Sequence, residues 1–321
     1  MDVPLYVWAL VGLGIVAALM VDLLVLHKDA HEVSMREAAV TSAAWVTIGL
    51  LFGIGVWVFA GADYAGQYYA GYLIEKSLSV DNVFIFALLF SYFAVPPKYQ
   101  HRVLFWGVVG ALVMRAGFIA AGVALLESFH WVIYLFGALL LFTGIKMLRS
   151  SGHSMDPGRN PVLRLMRRWV PMTDTYDGQK FFTRVNAKRV ATPMLAVLIV
   201  IETTDVVFAV DSIPAIFAVT TEPFLVFTSN AFAILGLRAL YFLLAGMMGR
   251  FVHLKTGLAA ILLFVGTKML LTDIWHVPIA LSLFVIAAIL TVAIVASLRV
   301  PVPAEPALDD SAGDDVVEPV G

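Results

Sequence analysis

Cysteine is absent from all 321 residues, which excludes disulfides, thiolate metal sites and dithiol redox chemistry carried by the chain itself. Charge is scarce: Asp, Glu, Lys and Arg make up 14% of the chain, against roughly 25% in soluble globular domains, so a soluble fold is excluded as well. The chain contains seven histidines, with none between residues 68 and 94 or between 192 and 219, and imidazole-rich sites are therefore not expected there. GxGD and HExxH motifs are missing from the apolar runs, so neither an intramembrane aspartyl hydrolase nor a zinc protease is expected. The net charge of −2 singles out no partner, and no nucleic-acid partner is expected.

What the chain does have is apolar length, with 61% hydrophobic residues. Nine runs approach the roughly 20 residues that cross a bilayer: 4–26, 38–60, 68–94, 101–124, 130–149, 192–219, 227–249, 255–272 and 277–298. The fold expected is all-α, a polytopic membrane protein with about nine transmembrane helices. The first run ends in VDLLVLHKDAHE rather than at small residues, so it is expected to remain as a span instead of being cleaved. Lys and Arg occupy the odd-numbered loops and are missing from the second, fourth, sixth and eighth. That alternation puts the N-terminus outside and the C-terminus in the cytoplasm.

The fifth loop, residues 150–191, is basic and is expected to hold one short amphipathic helix; contact with anionic lipid is secondary. The tail PVPAEPALDDSAGDDVVEPVG is Pro-rich and acidic, a composition expected to be disordered.

Two stretches resemble each other. The third run contains EKSLSVDNVF and the sixth DVVFAVDSIP, so that aligning Asp81 with Asp211 sets Glu75 opposite Asp205. The following run of each copy carries one arginine deep inside it, Arg115 in MRAG and Arg238 in LRAL, and the next ends in FTGIKML or FVGTKML. Each copy holds three spans, an odd number, so the copies must cross the membrane in opposite senses. Such inverted repeats place transport sites near the midplane. The expected organisation is a two-helix unit (1–66), a first three-helix repeat (67–149), the basic loop (150–191), a second three-helix repeat (192–273), a last transmembrane helix (274–300) and the tail (301–321).

The stretch MLAVLIVIETTDVVFAVDSIPAIFAVT carries Glu202, Asp205 and Asp211 inside an apolar segment. Ionisable groups at such depth are a functional site by default. Glu202 and Asp205 share a helix face, with Ser212 on the same stripe; Glu75, Ser79 and Asn82 form the equivalent stripe of the third run. Glu75 and Asp81 should point about 120 degrees apart on an ideal helix, so both reach one site only if the helix is locally unwound or the site lies between several helices. In the sixth run Pro214 gives a reason for a break, removing a backbone donor and clashing with the carbonyl of Val210. The deep acids Asp22, Glu75, Asp81, Glu202, Asp205 and Asp211 outnumber the deep bases Lys76, Arg115 and Arg238 by three. A carboxylate surplus in low dielectric calls for protons or a cation. The oxygen donors suit Mn²⁺, Mg²⁺ or Ca²⁺ over Zn²⁺ or Cu⁺. Arg115 and Arg238 are expected each to hold one carboxylate ionised or to act as a tethered cation when the site empties, or else simply to neutralise a buried acid and pack two helices; Asp22 is expected to lie exposed at the cytoplasmic interface.

The strings GYLIEKSLSVDNVFIFALLFSYFAVPPKYQHRVLFWGVVGALVMRAGFI, TPMLAVLIVIETTDVVFAVDSIPAIFAVT and FTSNAFAILGLRALYFLLAGM resemble the TerC family of integral membrane proteins, named from tellurium resistance and including the Alx proteins. The resemblance runs from about residue 8 to 298. It implies metal-ion homeostasis at the bacterial inner membrane, with export of Mn²⁺ from the cytoplasm. It also implies ion binding at Glu75, Asp81, Asn82, Glu202, Asp205 and Asp211; the stripes and charges read above add Ser79, Ser212, Pro214, Arg115, Arg238 and Asp22 as expected supporting residues. No tightly bound cofactor is expected; Mn²⁺ or Ca²⁺ enters as the transported ion, and the other partner is membrane lipid. Tellurite is an anion that a carboxylate-lined core would repel. The main expectation is thus a divalent-cation exporter working by alternating access with proton antiport. The alternative is a membrane scaffold in a tellurite or metal stress-response complex.

Overall fold

A computed structural model describes residues 3–22, 33–149, 161–185, 188–245, 253–275 and 277–300. The expected disordered tail lies outside the described residues, as does the start of the basic loop.

The chain is mainly helical: α1 (Leu5–Val21), α2 (Met35–Ala60), α3 (Ala62–Tyr92), α4 (Pro97–Ser128), α5 (Val132–Arg149), α6 (Pro161–Trp169), α7 (Pro193–Phe217), α8 (Pro223–Leu235), α9 (Leu237–Ala245), α10 (Leu254–Leu270) and α11 (Ile279–Arg299). Local chemistry sets their starts. Pro97, Pro193 and Pro223 open α4, α7 and α8, where a missing N–H costs nothing and the fixed φ is already helical. Ser34 caps α2, its hydroxyl accepting from the Glu37 amide at 3.2 Å.

Five helices are long and apolar enough to cross a membrane, namely α2, α4, α5, α7 and α11. They become six when α8 and α9, which meet at a 40° bend, are taken as one span. The described residues of the nine expected runs are mainly helical. Three of them fall outside this set: α1 and α10 have 17 residues each, and α3, at 31 residues, carries Asp63, Glu75, Lys76 and Asp81.

Lipid tails are as apolar as leucine, so helices in a bilayer associate through close packing rather than through exclusion of water. The outer surface is accordingly apolar, with Phe59 92%, Leu5 83% and Phe284 70% exposed, and the interior is tight. α3 lies at the centre, packed on α2, α7, α8, α9 and α11, while α4 packs on α7 and α8 and α5 lies against α10. The α5–α10 crossing rests on small residues. A Cβ on Gly266 would stand 2.9 Å from the Gly137 carbonyl, and one on Gly144 would stand 3.2 Å from that of Ala259.

The body is all-α, as expected, and the basic loop adds one small feature to it. Besides the expected short helix, α6, the loop holds an antiparallel hairpin of β1 (Phe182–Val185) and β2 (Lys188–Ala191), with Phe182 opposite Ala191. The strands FTRV and KRVA mix β-branched and aromatic residues with long cations, a pattern suited to a half-exposed ladder. The hairpin is tied to the membrane-embedded body. Tyr176 donates to the Phe93 carbonyl at 2.6 Å and Arg102 to Gln179 at 3.3 Å, and burial pushes the Tyr176 phenol up to about 12. Hydrogen bonds from Thr183 and Lys180 hold the Asp177 carboxyl below the usual carboxylate range.

Candidate functional site

Three helices converge on one guanidinium. Arg115 leaves α4 at 1% exposure and is surrounded by oxygens from α3 and α7. Its Nε donates to Asp205 Oδ2 at 3.2 Å and its Nη2 to Asp205 Oδ1 at 2.9 Å, a bidentate fork on one carboxylate. Its Nη1 donates to Glu75 Oε1 and, at 3.2 Å, to Ser212 Oγ. The alignment of α3 with α7 thus brings together the matched pair Glu75 and Asp205, with Ser212 on the predicted stripe.

The acids outnumber the base. Two carboxylates face one guanidinium, and Glu75, which is fully buried, keeps Oε2 without a hydrogen-bond partner among the described residues. Ser79, one turn further along α3, is equally buried and its hydroxyl is likewise unpartnered. An unsatisfied buried oxygen costs about 1–3 kcal/mol, more when charged.

Glu202 lies one turn before Asp205 on α7. Its carboxylate sits directly over Gly110 of α4, where a Cβ would collide with it, and its Oε2 is also unpartnered. Asp211 turns away from Arg115 toward α5, where its Oδ1 accepts from Thr143 at 2.9 Å. Asn82 is buried, and the side chain of Asp81 lies outside the described residues. Among the described residues, no group of three or more His, Cys, Asp and Glu could hold a metal ion. The cage is therefore two carboxylates and a hydroxyl around a cationic side chain.

Three expectations are corrected. Arg115 holds two carboxylates rather than one, Glu75 and Asp205, while Arg238 pairs with Asp22 of the N-terminal helical segment. Asp22 is not exposed at an interface but 5% exposed, because burying an arginine requires a counter-charge nearby. Pro214 does not break its helix, and α7 runs on to Phe217. With one turn remaining, the proline removes a single bond, and the buried side chains of Ile213, Ala215, Ile216 and Phe217 hold the backbone in place.

The break occurs elsewhere, at Gly236 between α8 and α9. Lys76 reaches into this bend, its Nζ donating to the Ala233 carbonyl at 3.2 Å, while Trp45 closes over Gly236. Sequence reasoning counted Lys76 as a base but gave it no task. It also passed over Thr228, Ser229 and Asn230, all buried on α8, with both amide atoms of Asn230 unpartnered among the described residues. The legible signal was the run TSN inside an otherwise apolar helix.

The comparisons with known proteins agree on one family. The family described as "Integral membrane protein TerC family" matches residues 60–302. An uncharacterized membrane protein of Myxococcus xanthus is 51% identical over 291 residues, 91% of this chain and 91% of that protein. The Escherichia coli (strain K12) protein named "Putative membrane-bound redox modulator Alx" is 52% identical over 290 residues, 87% of this chain and 90% of that one. An uncharacterized membrane protein of Rickettsia bellii is 40% identical over 291 residues, 91% of this chain and 96% of its own length. No solved structure matches.

Proposed function

The chain belongs to the TerC family of integral membrane proteins, and from that premise we propose that it carries divalent cations, Mn²⁺ foremost, out of the cytoplasm by alternating access. The observation that carries this reading is the convergence of Glu75 and Asp205, from two helices, on a common buried centre where two acids face one base. Carboxylate and hydroxyl oxygens are hard ligands that favour Mn²⁺, Ca²⁺ or Mg²⁺. The ion is cargo; no tightly bound cofactor and no catalytic residue belong to this reading. Proton antiport is the natural coupling, because carboxylates that release a divalent ion in low dielectric draw in protons.

The reading includes nine spans built around an inverted repeat, in a bacterial inner membrane, with the N-terminus outside and the C-terminus cytoplasmic. The contacts of α5 and α10 support the repeat. Aligning Lys146 with Lys268 pairs Gly137 with Ala259 and Gly144 with Gly266. Gly137 meets Gly266 and Gly144 meets Ala259, so each contact is the other with its partners exchanged, as a local two-fold axis requires. The redox role in the name of the Alx relatives finds no thiol in this chain.

The test is uptake of Mn²⁺ into inside-out vesicles containing the wild type, E75Q or D205N. Loss of uptake in both variants is expected. Unchanged uptake in both would end the transport reading.

A further inference from the structure

The guanidinium of Arg115 occupies the place a cation would take. Its donors engage both Asp205 oxygens, Glu75 Oε1 and Ser212 Oγ, which are the oxygens α3 and α7 offer to the shared centre. A hard divalent ion and a guanidinium would seek the same lone pairs.

We infer that Arg115 is a tethered substitute cation that closes the Glu75–Asp205–Ser212 cage when no divalent ion is present and is displaced when one binds. Three features favour this over a purely structural clasp. The first is the fit to charge: a clasp built only for stability would match its carboxylates, whereas this one leaves two acids on one base and Glu75 Oε2 unpartnered. A buried charge left uncompensated is strongly destabilising, and a divalent ion in the same cage would balance both acids.

The second is a place for the arginine to go. Glu202 lies one turn from Asp205 on the same helix face, and its unpartnered Oε2 sits beside α4, the helix that carries Arg115. It offers an acceptor to a guanidinium leaving the cage. The third is asymmetry between the repeats. Arg238, which aligns with Arg115, is held by Asp22, so only one of the two matched arginines stands at the shared centre.

The consequence is competition. An ion entering a cage that its own protein already fills binds with an affinity lowered by the fraction of time the cage is open. This proposal rests on the cation-carrier reading, and its test separates the two. Full-length wild type, R115Q, R115K and E75Q/D205N are titrated with MnCl₂ by calorimetry in lipid nanodiscs at one pH, and R115A is titrated with and without guanidinium chloride.

R115Q should bind Mn²⁺ at least about tenfold tighter than the wild type, and R115K, whose shorter point charge fits the fork poorly, should fall between them. Added guanidinium should weaken Mn²⁺ binding to R115A by competition and leave the wild type nearly unchanged. If R115Q fails to fold, R115K decides on the same criterion. Mn²⁺ binding by the wild type that the folded arginine variants only match or fall below would overturn the substitute-cation proposal and leave the carrier reading standing. Absence of Mn²⁺ binding in all proteins, or binding that E75Q/D205N preserves, would overturn the carrier reading and this proposal with it.

Discussion

The carboxylate of Glu202 rests on the bare backbone of Gly110, in space that any other side chain at position 110 would need. This contact fixes how closely α4 and α7 approach and where the acid points. Replacing Gly110 with Ala should push Glu202 aside at a cost of about 1–3 kcal/mol for overpacking, and should lower Mn²⁺ uptake in vesicles to a level near that of E202Q. Uptake equal to the wild type, with normal thermal stability, would show that the position of Glu202 is unimportant.

The Asp22–Arg238 pair is buried on both sides. Removing one member of such a pair typically costs about 3–5 kcal/mol, while replacing both by apolar groups is often nearly neutral. D22A is therefore expected to lower the thermal unfolding midpoint strongly, and D22A/R238M to recover most of the loss. Scanning fluorimetry of the purified proteins reads both; a double variant as unstable as D22A would assign Asp22 a role beyond charge pairing.

Gly144 and Gly266 hold matched positions where α5 crosses α10. Leucine at either site forces the helices apart, and the two substitutions should reduce uptake and unfolding midpoint to similar extents. A severe effect at one site with none at the other would contradict the two-fold relation between the repeats.

Tyr176, just before the hairpin, ties this loop to the Phe93 carbonyl, and its phenol is raised by burial to about 12. A group whose folded value is raised contributes stability below its unfolded value, about 10 for tyrosine, and loses it as pH climbs to the folded one. Docking of the hairpin should hold below pH 10 and weaken between about 10 and 12, read by limited proteolysis of residues 170–192. Y176F should lack that alkaline step and start about 1 kcal/mol weaker at neutral pH.

The acidic core was more legible than its partners. Periodicity alone placed Asp205 and Ser212 on one stripe, and the repeat matched Glu75 with Asp205; both relations meet at Arg115. Local patterns carry such information because spacing along one helix fixes direction. Which arginine pairs with which acid depends on how separate helices pack, and spacing along the chain did not assign Asp22 to Arg238 or two acids to Arg115. The proline rule misplaced the break for a related reason, since burial at the end of α7 outweighed one lost bond while Gly236, a residue without a side chain to pack, allowed the bend. The hairpin escaped notice because its strands are four residues each, too short for alternation to stand out in a loop rich in cations.

Glu75 and Lys76 are consecutive on α3, yet one engages the guanidinium and the other grips the elbow between α8 and α9. Neighbours on a helix turn as one body, so a rotation that withdraws the acid from Arg115 also drags the ammonium out of the elbow. A turn of α3 is therefore felt at the guanidinium and at the elbow together.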